Sequence, residues 1–391
     1  MTPKGFAFSA ASAGIKKGRQ KDIGIIVSDR PATAAAVFTR NRVKAAPVLL
    51  SMKNIGCRRH RAIICNSGCA NAATGKQGEK DAAKTVRLIA NGLGLYEKEV
   101  LVASTGLIGQ RLPMKKIVNA IPKLASSLQK TAGGFCRAIM TTDSRPKSAA
   151  RIFTVGGKKV TVWGGAKGAG MIHPNMATML GFILTDAAIR KPLLQSALKE
   201  AVEKSFNAIT VDGDTSTNDS VFILANGAAG ARPLKKGTAD WKRFVNALTE
   251  VCSSLAEKIV MDGEGAVRIA RISVEKAATE NEAQLVAKAV AGSLLVKTAL
   301  HGGDPNWGRI ICAAGYSGAP VEPEKMTLYF GKQCAYRKGI PAKNMERKLA
   351  GETRKKKVEI KLVLNRGNAS ASMLFCDIGK KYVSINAGYR T

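Results

Sequence analysis

Short apolar runs of strand length alternate with longer segments whose apolar residues recur every three or four positions, and this alternation restricts the chain to layers of helix laid over sheet. Ile23 to Val27, Ala62 to Cys65, Val160 to Trp163, Phe182 to Leu184, Val221 to Leu224 and Met326 to Phe330 read as strands, as does the alternating run Val358-Glu359-Ile360-Lys361-Leu362-Val363-Leu364. Pro192 suits a first helical turn, after which Leu193, Leu194, Ala197, Leu198, Ala201 and Val202 form one apolar face. Trp241, Phe244, Val245, Leu248, Cys252, Leu255 and Ile259 form another, and Thr279 with Glu282 predicts a capping box ahead of Leu285, Val286, Ala289 and Val290. The fold class is therefore α/β (α+β), with strand order left open by period alone. Gly75 to Lys80 and Lys235-Lys236-Gly237 read as surface loops.

A chain of 391 residues can bury a large core without disulfides or metals. Its eight cysteines include no Cys-x-x-Cys pair and it has three histidines, so reduced thiols are expected and a metal site is not. Cys65 and Cys69 sit four apart with no second pair to complete a ligand set. No stretch approaches the ~20 apolar residues needed to cross a bilayer, and the N-terminus lacks a secretory apolar block, which makes the cytoplasm the expected location and a membrane partner unexpected. The net charge of +34 invites a nucleic-acid reading. Against that reading, the charge is dispersed, aromatics make up 5%, and no helix-turn-helix, zinc-finger or RNP signature is present, so no specific nucleic-acid partner is expected. Such charge favours anionic or zwitterionic substrates. The densest run, Arg354 to Lys357, reads as a solvated sheet edge.

The Gly-rich stretch Gly164 to Gly170 reads as a flexible basic loop, and it leads into Met171-Ile172-His173-Pro174-Asn175-Met176-Ala177-Thr178-Met179-Leu180-Gly181. On its own, Thr178 is a β-branched residue entering a strand. The longer string from Ala166 to Leu180, however, resembles the self-cleavage site of the glutamate N-acetyltransferase/ornithine acetyltransferase family of arginine biosynthesis. The resemblance runs nearly end to end: Pro3 to Phe6, Ala13 to Lys16, Val37 to Asn41, Ala45 to Val48, Asn66-Ser67-Gly68 and Ser104 to Gly109 precede the motif. Asp212 to Asp219, Asp262 to Ala266, Leu295 to Ala299, Asp304 to Ile310 and Tyr389-Arg390-Thr391 follow it. It implies two sheets stacked between helical layers, aminopeptidase-like, in a precursor cleaved between Ala177 and Thr178. Residues 1–177 would form an α chain carrying oxyanion-hole and substrate-binding segments, and residues 178–391 a β chain headed by the nucleophile. Two α and two β chains would assemble.

The chemistry fits a threonine at a new chain end. A threonine hydroxyl needs a nearby base, and an N-terminal amine, titrating near pH ~7.7–8.0, supplies one within the same residue. The resemblance implies that Thr178 takes the acetyl group from N-acetylornithine and passes it to glutamate, with acetyl-CoA as a possible alternative donor and no other cofactor. Thr105 and Gly106 match the oxyanion pair; Thr141, Thr142, Lys167, Glu264, Asn386 and Thr391 match substrate contacts, with the choice between Thr141 and Thr142 open. His173 competes as a base and is assigned to shaping or assisting cleavage. The chain departs from the family pattern at Cys69, Ala73, Val267-Arg268, Leu294 and His301, and the change nearest Glu264 puts substrate affinity in question. Two other readings stand beside this one: an N-terminal-nucleophile amidase or aminopeptidase with water as acceptor, and a basic nucleic-acid-binding protein.

Overall fold

A sixteen-residue strand, Ile23–Phe38, supplies two layers of the fold at once. The computed structural model describes residues 1–173 and 179–388. Its strands are β1 (Phe6–Ala11), β2 (Ile23–Phe38), β3 (His60–Cys69), β4 (Val100–Leu107), β5 (Lys147–Val155), β6 (Lys158–Lys167), β7 (Leu180–Thr185), β8 (Ile209–Thr210), β9 (Ser220–Ala225), β10 (Ile269–Ala277), β11 (Thr327–Phe330), β12 (Gln333–Arg337), β13 (Ile340–Pro341), β14 (Lys357–Val363) and β15 (Ala369–Cys376). The α-helices are α1 (Ala46–Asn54), α2 (Gly75–Leu93), α3 (Met114–Ser126), α4 (Gly133–Ala138), α5 (Lys191–Glu203), α6 (Ala239–Met261), α7 (Glu280–Gly292), α8 (Leu294–Gly302), α9 (Trp307–Gly315), α10 (Glu346–Thr353) and α11 (Lys380–Gly388).

The first half of β2 pairs antiparallel with β1 and β3, and its second half, Thr33 to Phe38, pairs antiparallel with β9. Register shifts between Val27 and Ala32, where Pro31 has no N–H to give the ladder. The eight-stranded sheet, in the order β4-β3-β2-β9-β7-β6-β5 with β1 on β2, thereby folds over on itself. Phe8, Ile26, Ile63 and Leu101 from one half share a core with Trp163, Phe182, Leu184, Phe222 and Leu224 from the other. Rings knit the halves together: Phe8 meets Trp163 at 5.3 Å between centroids and Phe135 meets Phe182 edge-on at 5.0 Å.

Strand alternation sends the intervening residues outward, where helices cover them. Ile23, Ile25, Ile64 and Val102 pack under Val86 and Ile89 of α2 and Ile117 and Ile121 of α3. Val160, Val162, Ile183 and Ile223 pack under Leu194 and Leu198 of α5 and Phe244, Leu248, Val251 and Leu255 of α6. The result is helix, sheet, sheet, helix, the stacked arrangement expected. The second sheet, in the order β13-β12-β11-β14-β10-β15-β8, has its core under α7 and α9 and joins the first lobe through Ile269, Leu374 and Cys376.

Helices α5, α6 and α7 form where the apolar faces predict them. Only half of the α7 capping box forms, however: Thr279 Oγ1 accepts from the Glu282 amide at 3.2 Å, while the buried Oε2 of Glu282 has no partner among the described residues. Gly75 to Lys80 is not a loop but the first turns of α2. The lysine run leads into β14, whose first residue is Lys357 and which lies between β11 and β10, so it marks the mouth of an interior strand and not a sheet edge. Gly164, Gly165, Ala166 and Lys167 belong to buried strand β6 and not to a flexible loop. A Cβ on Gly164 would lie 2.7–2.9 Å from Leu255, Ile183 and Val251, so glycine there lets α6 come close. No single described helix is long and apolar enough to cross a membrane.

Because Phe182 sits at the centre of the inter-sheet core, Phe182→Ala should cost about 3–5 kcal/mol of unfolding free energy. Ile152→Ala, at an exposed strand position, should change it by less than about 0.5 kcal/mol in the same denaturant titrations.

Candidate active site

Antiparallel pairing makes Lys167 at the end of β6 the register partner of Leu180 at the start of β7, so residues 168–179 join two adjacent strand ends. Ala177 and Thr178 fall in this connection but outside the described residues, as does Thr391. Parallel strands β3 and β4 end alongside, with Gly68 opposite Gly106. Gly106 has φ +129 and a Cβ there would lie 2.3 Å from the Gly68 carbonyl carbon, so only glycine permits this approach. The Lys167 amine, almost fully buried, donates to Thr105 Oγ1 at 3.3 Å. Burial pulls the Lys167 ammonium below its ordinary value, while the nearby Asp143 carboxylate opposes that shift.

A cleft of about 150 Å³ opens here, and it is lined by Thr105, Gly106, Thr141, Thr142, Lys167, Glu264 and Asn386, with Asp212, Asp214 and Tyr382 completing its wall. Every predicted oxyanion and substrate-contact residue that is described therefore reaches one cavity. Glu264 enters through the turn after α6, where its amide donates to the Ala169 carbonyl at 3.0 Å. Gly170 makes room for it, since a Cβ there would lie 2.6 Å from the Glu264 carboxylate. From α11, Asn386 donates through Nδ2 to Glu264 Oε2 at 2.8 Å.

Beneath the cleft lies a buried ion cluster that the sequence reading missed. Lys147 Nζ contacts Asp143 Oδ1 at 2.6 Å and Asp262 Oδ2 at 2.5 Å, with both partners buried. Asp143 also accepts the Gly168 amide at 2.7 Å and the Thr141 amide at 2.9 Å, while Asp262 accepts the Ser144 amide at 3.0 Å. Burial alone would raise the Asp143 carboxyl, but Lys167, Lys147 and the Gly168 amide outweigh it and hold it down at about 2. Asp262 begins a family-like string and Asp143 directly follows the predicted contacts Thr141 and Thr142, which was the available signal; Lys147 carried none.

Asp219 is a second such residue. Burial pushes its carboxyl well above the usual range against hydrogen bonds from Met179 and Ser216 and the charge of Lys167, and its Oδ2 has no partner among the described residues. His173 does not line the cleft. Its Nδ1 lies 3.3 Å from Thr210 Oγ1, and burial first, then Lys288 and Lys297, lowers its proton affinity. Two family departures meet elsewhere: Arg268 donates to the His301 carbonyl at 2.6 Å, and Asp377 contacts His301 Nδ1 at 2.6 Å and accepts the Val267 and Arg268 amides. The Arg268 guanidinium thus holds the end of α8, while the Arg268 backbone, through Asp377, braces the segment leading to α11.

A buried amine, an adjacent hydroxyl and facing carboxylates at the joint of a four-layer α/β sandwich suit acyl transfer between amino acids, and the comparisons define that class further. A sequence model described as the ArgJ family matches residues 7–391. The arginine biosynthesis bifunctional protein ArgJ of Dehalococcoides mccartyi (strain CBDB1) is 50% identical over 393 residues, covering 100% of this chain and 96% of that protein. Its namesake from Geobacter sulfurreducens is 48% identical over 393 residues, covering 100% of both. A crystal structure of the arginine biosynthesis bifunctional protein ArgJ from Bacillus halodurans matches with TM-score 0.52 and 42% identity, over 53% of this chain and 98% of that one. The chain belongs to the ArgJ family, and it is an acetyl-transferring enzyme of arginine biosynthesis.

Removing the amine from between two buried carboxylates should make Lys147→Met about 3–5 kcal/mol less stable in urea titrations. The depressed Asp143 contributes stability that is present above its ordinary value near pH 4 and lost as pH falls through about 2. Asp143→Asn should therefore remove about 2 kcal/mol of pH-dependent stability between those limits, read as a flatter plot of unfolding free energy against pH.

Proposed function

We propose that the chain cleaves itself between Ala177 and Thr178, and that the Thr178 hydroxyl then carries acetyl from N-acetylornithine to glutamate. The observation that carries this reading is the convergence of Thr105, Gly106, Thr141, Thr142, Lys167, Glu264 and Asn386, from five separated stretches, on one cleft beside the connection that contains residues 177 and 178. The half-length Bacillus halodurans chain supports it, since 98% of that chain is matched by 53% of this one, as a polypeptide released by mid-chain cleavage would be.

In the precursor, the Thr178 hydroxyl attacks the Ala177 carbonyl, converting amide to ester, and water hydrolyses the ester. Residues 1–177 become one chain and residues 178–391 another, headed by an amine that serves as the base. Two half-reactions follow through one acetyl-threonine, which gives ping-pong kinetics. Each passes through an oxyanion. Accepting the Lys167 bond leaves the Thr105 hydroxyl hydrogen free to donate to that oxyanion, alongside the Gly106 amide. Lys167 and Glu264 offer opposite charges to the carboxylate and ammonium of the amino-acid substrates, with Thr141 or Thr142, Asn386 and the terminal Thr391 completing the binding surface. The enzyme works in the cytoplasm as two α and two β chains, with acetyl-CoA as an alternative acetyl donor.

Intact-mass measurement should find two polypeptides meeting at residues 177 and 178 in wild-type protein and a single inactive one in Thr178→Ala. With processing intact, Thr105→Val should lower kcat by about 10²–10³-fold. Product formed from N-acetylornithine should be N-acetylglutamate and should depend on added glutamate; acetate released at the same rate without glutamate would identify an amidase instead.

A further inference from the structure

The arm that leads from β6 toward the scissile bond makes an abrupt turn at Met171, a non-glycine residue with φ +58, in the left-handed region that L side chains avoid. One carboxylate holds that turn. Asp212 Oδ2 accepts the Met171 amide at 2.5 Å and Oδ1 accepts the Ile172 amide at 2.9 Å. One peptide further on, the Ile172 carbonyl accepts the Val211 amide at 2.8 Å and the Thr210 hydroxyl at 2.9 Å, and the Ile172 side chain is fully buried. The Tyr382 side chain, from α11, hydrogen-bonds to Asp212 as well. Residues 171 and 172 are thus gripped through both their amides, the carbonyl of the second and one side chain, and the grip ends a few residues before Ala177.

We infer that Asp212 is a positioning residue for self-cleavage, holding Met171 in its left-handed conformation so that the chain enters the scissile segment in one direction. The inference rests on the self-cleavage proposed above. Two backbone donors aimed at one carboxylate define a fixed direction for the arm, whereas an arm free to relax Met171 into the ordinary right-handed region would point the following residues elsewhere. The same carboxylate faces the cleft, so it links the geometry of the arm before cleavage to the wall of the site afterwards.

Glycine takes the left-handed backbone without help, which separates positioning from other roles. Full-length precursor made by cell-free translation is followed by denaturing gel and intact mass over time. Asp212→Ala should slow appearance of the two chains by about tenfold or more, the order set by the bias against left-handed backbone in L residues. Asp212→Ala combined with Met171→Gly should recover most of the wild-type rate. Met171→Val, which leaves Asp212 in place but puts a β-branched residue at a left-handed position, should also slow cleavage, and it keeps the question answerable should Asp212→Ala fail to fold. Wild-type pace in Asp212→Ala, wild-type pace in Met171→Val, or a well-folded double variant as slow as Asp212→Ala would each overturn the inference. Wild-type chain that never cleaves would instead remove the self-cleavage reading itself.

Discussion

Three of the stretches that meet at the cleft are referred to one ammonium group, that of Lys147, clasped between the carboxylates of Asp143 and Asp262. Lys147 leaves β5 opposite Ala166, so its amine lies under the end of β6. Asp143 fixes the backbone of Thr141 and of Gly168, and Asp262 begins the turn that delivers Glu264. Three stretches far apart in sequence are thus set against each other by one cation. A buried ion pair of this kind adds little net stability compared with apolar packing, but losing one member leaves a charge stranded, so the cluster acts mainly by permitting only one arrangement.

The same economy governs the sheets. Strands β6 and β7 lie on either side of the connection that contains Ala177 and Thr178, and they are hydrogen-bonded neighbours in one sheet. β7 is bonded in turn to β9, and β9 to β2. A break between β6 and β7 would therefore leave both products locked in one ladder and one core, with no new surface exposed except near the break. A division at 177 and 178, as proposed above, would run through a layer of the molecule and would not follow its two lobes.

How much of this was legible follows from what each residue type signals. Continuous apolar strands such as Ile23 to Val27 and Phe182 to Leu184, and one-faced helices such as α5 and α6, announce themselves because burial and period agree. Strand β4 does not, since Ser104, Thr105 and Gly106 interrupt its apolar run with site chemistry. Strand β5 does not either, since its exposed Arg151 and buried Lys147 look alike in sequence. The glycines of β6 were read as loop because glycine marks both a turn and a close approach, and only Leu255 and Val251 of α6 reveal which holds. The cleft residues were recognisable from short strings, whereas Lys147 became visible only once its two carboxylates were placed in space. Likewise, the departures at Arg268 and His301 looked independent until they proved to touch.

The crossing strand has a consequence for the order of events during synthesis. Phe38 is paired with Ser220, so the outer half of β2 leaves the ribosome long before its partner exists. At ordinary elongation speeds that interval is roughly ten to forty seconds, during which a nascent apolar ribbon has one face and one margin uncovered. The inner sandwich closes only when β9 arrives, after residues 177 and 178 have already been translated. A nascent chain stalled before Ser220 would thus carry residues 177 and 178 without β9, so the self-cleavage proposed above would have to wait for near-complete translation.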